Sequence, residues 1–137
     1  MSLEMIGREV IGAAIEVHRE LGPGLLESTY ERCLVYELTL RGINAQRQKA
    51  QPVFYKGLEL DEGYRQDVIV DDKIILELKA VDRLTNLHLA QLLTYLKLSS
   101  CHLGYLLNFS VTAMKDGIRR VVNEMPEGPS RSSRPLR

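Results

Sequence analysis

The sequence predicts a mixed α/β domain, in the order α-α-β-β-β-α-β with a further short strand at the end. Three observations carry this. Apolar residues recur at helical spacing over residues 3–41 and again over 84–99. The stretch between them switches to short runs of strand length. Clusters of Gly, Pro and Asp fall between the periodic segments. At 137 residues the chain fits one domain with a single core. That domain is expected over residues 1–123, with a Pro/Ser/Arg-rich disordered tail from Glu124.

Taken in order, residues 3–20 read as a helix. Ile6, Val10, Ala13, Ala14, Val17 and Leu21 form its apolar stripe, and Glu9, Glu16, Arg19 and Glu20 take other faces. Gly22-Pro23-Gly24 breaks it. A second helix over 25–41 carries Leu26, Tyr30, Leu34 and Leu38 in register, with Gly42 as its C′ residue. Residues 46–55 read as a strand in which Pro52 demands an edge or a bulge. After the turn at Lys56-Gly57, residues 58–70 are strand-like with an interruption at Asp61–Gly63. Residues 74–80 form the most strand-like segment of the chain. The helix over 84–99 has one flank of Leu89, Leu92, Leu93 and Leu96, and another of Leu84, His88, Gln91 and Tyr95. Residues 102–109 read as a buried strand and 117–123 as a short final one.

Composition narrows the function classes. Eighteen basic residues balance eighteen acidic ones, so no global field draws the chain to nucleic acid. No apolar run approaches the roughly 20 residues of a membrane span. Glu4, Arg8 and Glu9 interrupt any signal-peptide pattern, which points to a cytoplasmic protein without a membrane role. Cys33 and Cys101 lie far apart with no CxxC, so buried free thiols are expected and zinc is not. With no Trp and few aromatics, an extended base-stacking platform is not expected.

The chemistry concentrates in Arg65–Ala80, RQDVIVDDKIILELKA. Asp67, Glu77 and Lys79 sit within strand-like runs, where charge is costly to bury without compensation. A divalent cation and a phosphate would compensate all three. Mg²⁺ takes one or two carboxylates plus waters and substrate oxygens. A lysine alongside can stabilise charge on a phosphate or orient the attacking water. The D…ExK spacing therefore points to a metal-dependent nuclease. The plain alternative is a solvated strand face with a cross-strand ion pair.

Strand alternation adds a constraint. Glu77 and Lys79 share a face with Ile75, and Leu76, Leu78 and Ala80 take the other. A two-residue turn at Asp71-Asp72 would set Asp67 opposite Leu76, on the wrong face. A site containing both carboxylates requires a three-residue loop, Asp71–Lys73, or a bulge.

Other polar residues admit two readings each. Glu27, on the second helix, is a site carboxylate or a first-turn glutamate suited to the positive helix end; Tyr30 nearby reads as core. Gln91 and Tyr95 could hold a phosphate or a carboxylate, or form a polar helix edge. His88 reads best as a structural hydrogen-bonder. Arg65 shares the face of Asp67 and could contact a phosphate or simply face solvent. Arg47, Lys49 and Lys56 read as solvated charge. Arg131, Arg134 and Arg137 read as a solubilising tail.

These residues resemble a known family. GLLESTY, Gly24 to Tyr30, fits a GxxExxY pattern. With IGAAIEVHRELGPGLLESTYERCL, YKG, GYRQDVIV, ILELKAV, HLAQLLTYL and LLNF…KDGIRR in order, the chain is similar to the GxxExxY proteins of the PD-(D/E)XK nuclease superfamily over about residues 5–123. The resemblance implies a restriction-endonuclease-like core, a mixed sheet of four or five strands flanked by helices. It implies hydrolysis of phosphodiester bonds with one or two Mg²⁺ or Mn²⁺ ions. Glu27 resembles the helix-borne glutamate, Asp67 and Glu77 the metal carboxylates, and Lys79 the catalytic lysine. Gln91 and Tyr95 match the QxxxY motif of the RecB-like branch. The backbone carbonyl of Leu78 would be a further metal ligand, and Glu27 would assist directly or through water. Gln66 stands where a proline often precedes the aspartate. The expected substrate is nucleic acid, with DNA favoured over RNA. A homodimer or protein partner would help so neutral a chain grip a duplex. The alternative is a non-catalytic nucleic-acid or protein binding module on the same fold.

Overall fold

Residues 1–124 are described by the structure, a computed structural model; the expected tail otherwise lies outside them. Helix α1 runs Leu3–Leu21, and its N-cap Ser2 accepts the Met5 N–H at 3.2 Å. Its stripe is buried as spaced, except that Leu21 is exposed. Helix α2 runs Glu27–Leu40 and buries Tyr30, Leu34 and Leu38, while Leu26 lies just outside it in solvent. Gly42 takes the left-handed conformation expected of a C′ residue, and Ile43 N–H returns to Leu38 O at 2.9 Å.

Five strands make the main sheet: β1 (Ala45–Ala50), β4 (Arg65–Val70), β5 (Ile74–Lys79), β6 (Leu103–Asn108) and β7 (Ile118–Val122), in the order β1-β4-β5-β6-β7. Only β5 and β6 pair in parallel. Helix α3 (Asn86–Ser99) makes the crossover between them, as parallel pairing requires. A short 3-10 turn over Met114–Gly117 leads into β7.

The two long strands expected in the middle are each split. Residues 53–60 leave the sheet as a separate hairpin, β2 (Val53–Tyr55) with β3 (Leu58–Leu60). The breaks fall at Gln51-Pro52 and Asp61–Tyr64, where Pro52 cannot donate to the ladder and Gly63 is left-handed.

Both faces of the sheet are covered. Val68, Val70, Ile74, Leu76, Leu78, Leu103 and Leu107 pack under α1 and α2. Ile69, Ile75 and Leu106 pack against Leu92, Tyr95 and Leu96 of α3. Gly104 permits the second contact: a Cβ there would meet Ile75 O at 2.9 Å and Leu92 Cδ1 at 3.1 Å. Among the described residues no helix is long and apolar enough to cross a membrane.

Tyr30 ties the α1–α2 turn to the core. Its ring stacks on Phe109 at 4.4 Å between centroids. Its hydroxyl donates to Gly22 O at 2.6 Å and accepts from Leu25 N at 3.1 Å. Tyr30→Phe keeps the stack and strands both main-chain groups. It is expected to cost about 1–3 kcal/mol, read as a lower denaturant midpoint at unchanged m-value.

Candidate active site

The β4–β5 loop is three residues long. Val70 pairs with Ile74 and Val68 with Leu76, which sets Asp67 opposite Glu77 on the α3 face. Asp71 and Asp72 are both left-handed, a conformation Asp tolerates better than most residues, and Lys73 N–H closes the turn on Val70 O at 2.9 Å. No bulge is needed.

At this level the two strands exchange side-chain for main-chain bonds. Asp67 N–H donates to Glu77 Oε2 at 3.1 Å, and Leu78 N–H donates to Asp67 Oδ2 at 2.9 Å. Glu77 is only 5% exposed and Asp67 is half-buried. Asp67 Oδ1 and Glu77 Oε1 accept no hydrogen bond from the described residues. Lys79 follows on the same face and makes no ion pair among the described residues.

Burial pushes the Asp67 carboxyl up to about 6; the Leu78 N–H and Lys79 oppose the rise, and Glu31 and Glu27 add to it. Glu77 is pushed up to about 8, first by burial and then by the charge of Asp67. Burial, then Glu77 and Asp67, raise the Tyr95 hydroxyl.

A buried and a half-buried carboxylate repelling one another, each with an oxygen to spare, suit a hard divalent cation. Among the described residues no three His, Cys, Asp or Glu side chains gather closely enough to hold an ion by themselves. Asp67 and Glu77, with the adjoining Leu78 peptide, would leave the remaining positions to water and substrate oxygens, as Mg²⁺ accepts.

The other expected residues divide. Tyr95 is brought in: it is buried on the face of α3 that covers Ile69 and Ile75. Gln91 is exposed, one turn away, and makes no hydrogen bond to a described residue. It borders a cavity with Tyr95 and makes no hydrogen bond to the carboxylates. Glu27 is exposed at the first turn of α2 and acts on Asp67 only as the smallest of its influences. His88 closes a capping box, its Nδ1 accepting Thr85 N–H at 3.0 Å, and is structural. Arg65 is exposed and donates to Gln48 O at 3.4 Å. Both cysteines are free thiols.

Sequence reasoning missed Glu31, Arg47 and Asn108. Glu31 is buried and raises the pKa of both Asp67 and Glu77. Arg47, expected in solvent, donates through Nε to Glu31 Oε1 at 3.0 Å, and Gln48 Nε2 reaches the same oxygen at 3.0 Å. Glu31 lies four residues after Glu27 on one helix face, and that spacing was the available signal. Asn108, paired with Lys79 in the sheet, accepts Val81 N–H at 3.1 Å and donates to Val81 O at 2.9 Å, fixing the chain where β5 ends.

The pKa shifts set a pH dependence. Both carboxyls are held above their ordinary values, 3.8 and 4.5, at about 6 and about 8. The folded chain therefore binds more protons than the unfolded one across that window, and stability in EDTA falls as pH rises through it. Glu77→Gln removes the later part of this loss. Its melting temperature should exceed the parent's at about pH 8.5, and the advantage should vanish near pH 5, measured by thermal melts across pH.

Comparison with protein families matches the chain to the PD-(D/E)XK nuclease superfamily over residues 4–121. Searches of curated proteins and of solved structures give no match. The match is made at the level of the superfamily, and the narrower resemblance to GxxExxY proteins remains that of Gly24, Glu27 and Tyr30. The five-stranded mixed sheet and its flanking helices are those of a restriction-endonuclease-like fold, and this chain belongs to the PD-(D/E)XK nuclease superfamily.

Proposed function

We propose that this chain is a metal-dependent phosphodiesterase that cleaves nucleic acid, with DNA as the preferred substrate and residues 1–123 as its single domain. The reading is carried by the Asp67–Glu77 pair: two carboxylates opposed across β4 and β5, repelling one another, with Lys79 on the same face. Such a pair is a standing electrostatic cost that a cation relieves.

Asp67 and Glu77 would hold Mg²⁺ or Mn²⁺, with the Leu78 carbonyl adjoining and Glu27 assisting from α2. A cation held there would supply Lewis-acid polarisation of the scissile phosphate and a lowered pKa for the attacking water. Lys79 orients that water and stabilises charge on the phosphoryl oxygens. Tyr95 fixes the site's α3 wall, and Gln91 meets the substrate at its rim. Glu31, held by Arg47 and Gln48, lies close enough to raise the pKa of both carboxyls.

The test is cleavage of labelled single- and double-stranded DNA and RNA with Mg²⁺, Mn²⁺ or EDTA, beside Glu77→Ala. Metal-dependent cutting that the substitution removes is the expected result. A parent that neither cuts nor binds metal would instead be a binding module on this fold.

Two further outcomes are expected. Lys79→Ala should lower cleavage at least about 100-fold while far-UV circular dichroism stays that of the parent. Mg²⁺ should raise the melting temperature near neutral pH, because only the folded chain presents the site. Asp67→Asn should abolish that rise.

A further inference from the structure

A second feature adjoins the carboxylates. Val53, Tyr64, Gln91, Thr94, Tyr95 and Leu98 line an open cavity of about 320 Å³ between α3 and the β2–β3 hairpin. Its size is at the small end of ligand sites, and its walls are mainly apolar and aromatic with an amide at the edge, the usual make-up of such sites. Tyr95 is the shared wall. It packs with Ile69 and Ile75, which lie on the α3 face two residues along β4 and β5 from Asp67 and Glu77. Tyr64, across the cavity, is 48% exposed and can be covered by a ligand.

The hairpin that supplies Val53 also carries an exposed aromatic ring. Tyr55 lies two residues from Val53, on the same side of β2, and is exposed. Lys56 Nζ stands 5.4 Å from the Tyr55 ring centroid. Aromatic rings beside a cation suit an unpaired strand, whose bases stack while its phosphates meet positive charge. The low aromatic content of the sequence concealed this, because the fold brings Tyr64 and Tyr95 to one cavity.

We propose that the cavity takes one nucleobase of the substrate, stacked on Tyr64 beside Tyr95, and that the chain therefore acts on single-stranded or frayed nucleic acid. This rests on the nuclease reading of the adjoining carboxylates. The Gln91 amide offers both a donor and an acceptor to a base edge. A base within a duplex could enter only by leaving its stack, and that costs free energy.

The test separates binding from cutting. Fluorescence anisotropy in EDTA, with labelled single-stranded DNA and RNA and the matching duplexes, should show preference for a single strand. Tyr64→Ala should weaken that binding about 5- to 100-fold, and Tyr64→Phe, which keeps the ring, should restore it. An abasic nucleotide placed along the strand should cost the parent a similar factor at one position and cost Tyr64→Ala no more there. Equal or tighter duplex binding, indifference to Tyr64→Ala or to every abasic position, or no single-strand binding by the parent would overturn the proposal. Binding that depends on Tyr64 without cleavage in Mg²⁺ or Mn²⁺ would remove the nuclease reading and leave the base site. Cleavage indifferent to Tyr64 and to base removal would do the reverse.

Discussion

The site depends on where β4 and β5 stop pairing through their backbones. Their ladder runs from the Asp71–Lys73 loop to Val68 and Leu76. At the next level Asp67 N–H and Leu78 N–H turn to the carboxylates of Glu77 and Asp67. A buried N–H must find an acceptor, and here the acceptors are the groups expected to do the chemistry. The bonds that finish the sheet thus also orient the carboxylates. Each retains one oxygen that accepts nothing from the described residues.

Around this level the layers take different tasks. Helices α1 and α2 bury one face of the sheet against an apolar core, with Tyr30 and Phe109 stacked beneath the α1–α2 turn. Helix α3 covers the other face with Leu92, Tyr95 and Leu96, and near Tyr95 the apolar cover gives way to the carboxylates. Asn108 holds the chain leaving β5 at Val81, so the backbone carrying Lys79 is fixed on both sides. Rigid support of this kind is what a site needs if polar groups are to keep their geometry without reorganising.

Much of this was legible in the sequence, for identifiable reasons. The three helices announce themselves through period, and a site with Asp67 beside Glu77 demands an odd-length loop or a bulge, of which the chain takes the loop Asp71–Lys73. The excursion of the β2–β3 hairpin was not legible. Pro52 and Asp61–Gly63 mark interruptions, but local sequence does not separate a bulge from a departure out of the sheet. Gln91 and Tyr95 look equivalent by spacing, yet one is exposed and the other buried, because only Tyr95 turns toward Ile69 and Ile75. Glu31 and Arg47 were hidden because a charged residue's burial is decided by its partner, here sixteen residues away on another element.

The left-handed backbone at Gln48 has a consequence for self-association. Strand β1 is an outer strand of the sheet, and such strands can recruit a further chain into continuous pairing. At Gln48 the φ of 56° takes one residue out of extended geometry in mid-strand, between Arg47 and Lys49. The side chain donates to Glu31 on α2 at the same point. An incoming strand would find its row of donors and acceptors interrupted there. The residue that ties β1 to α2 is thus also the one that makes this rim a poor template for edge-to-edge pairing.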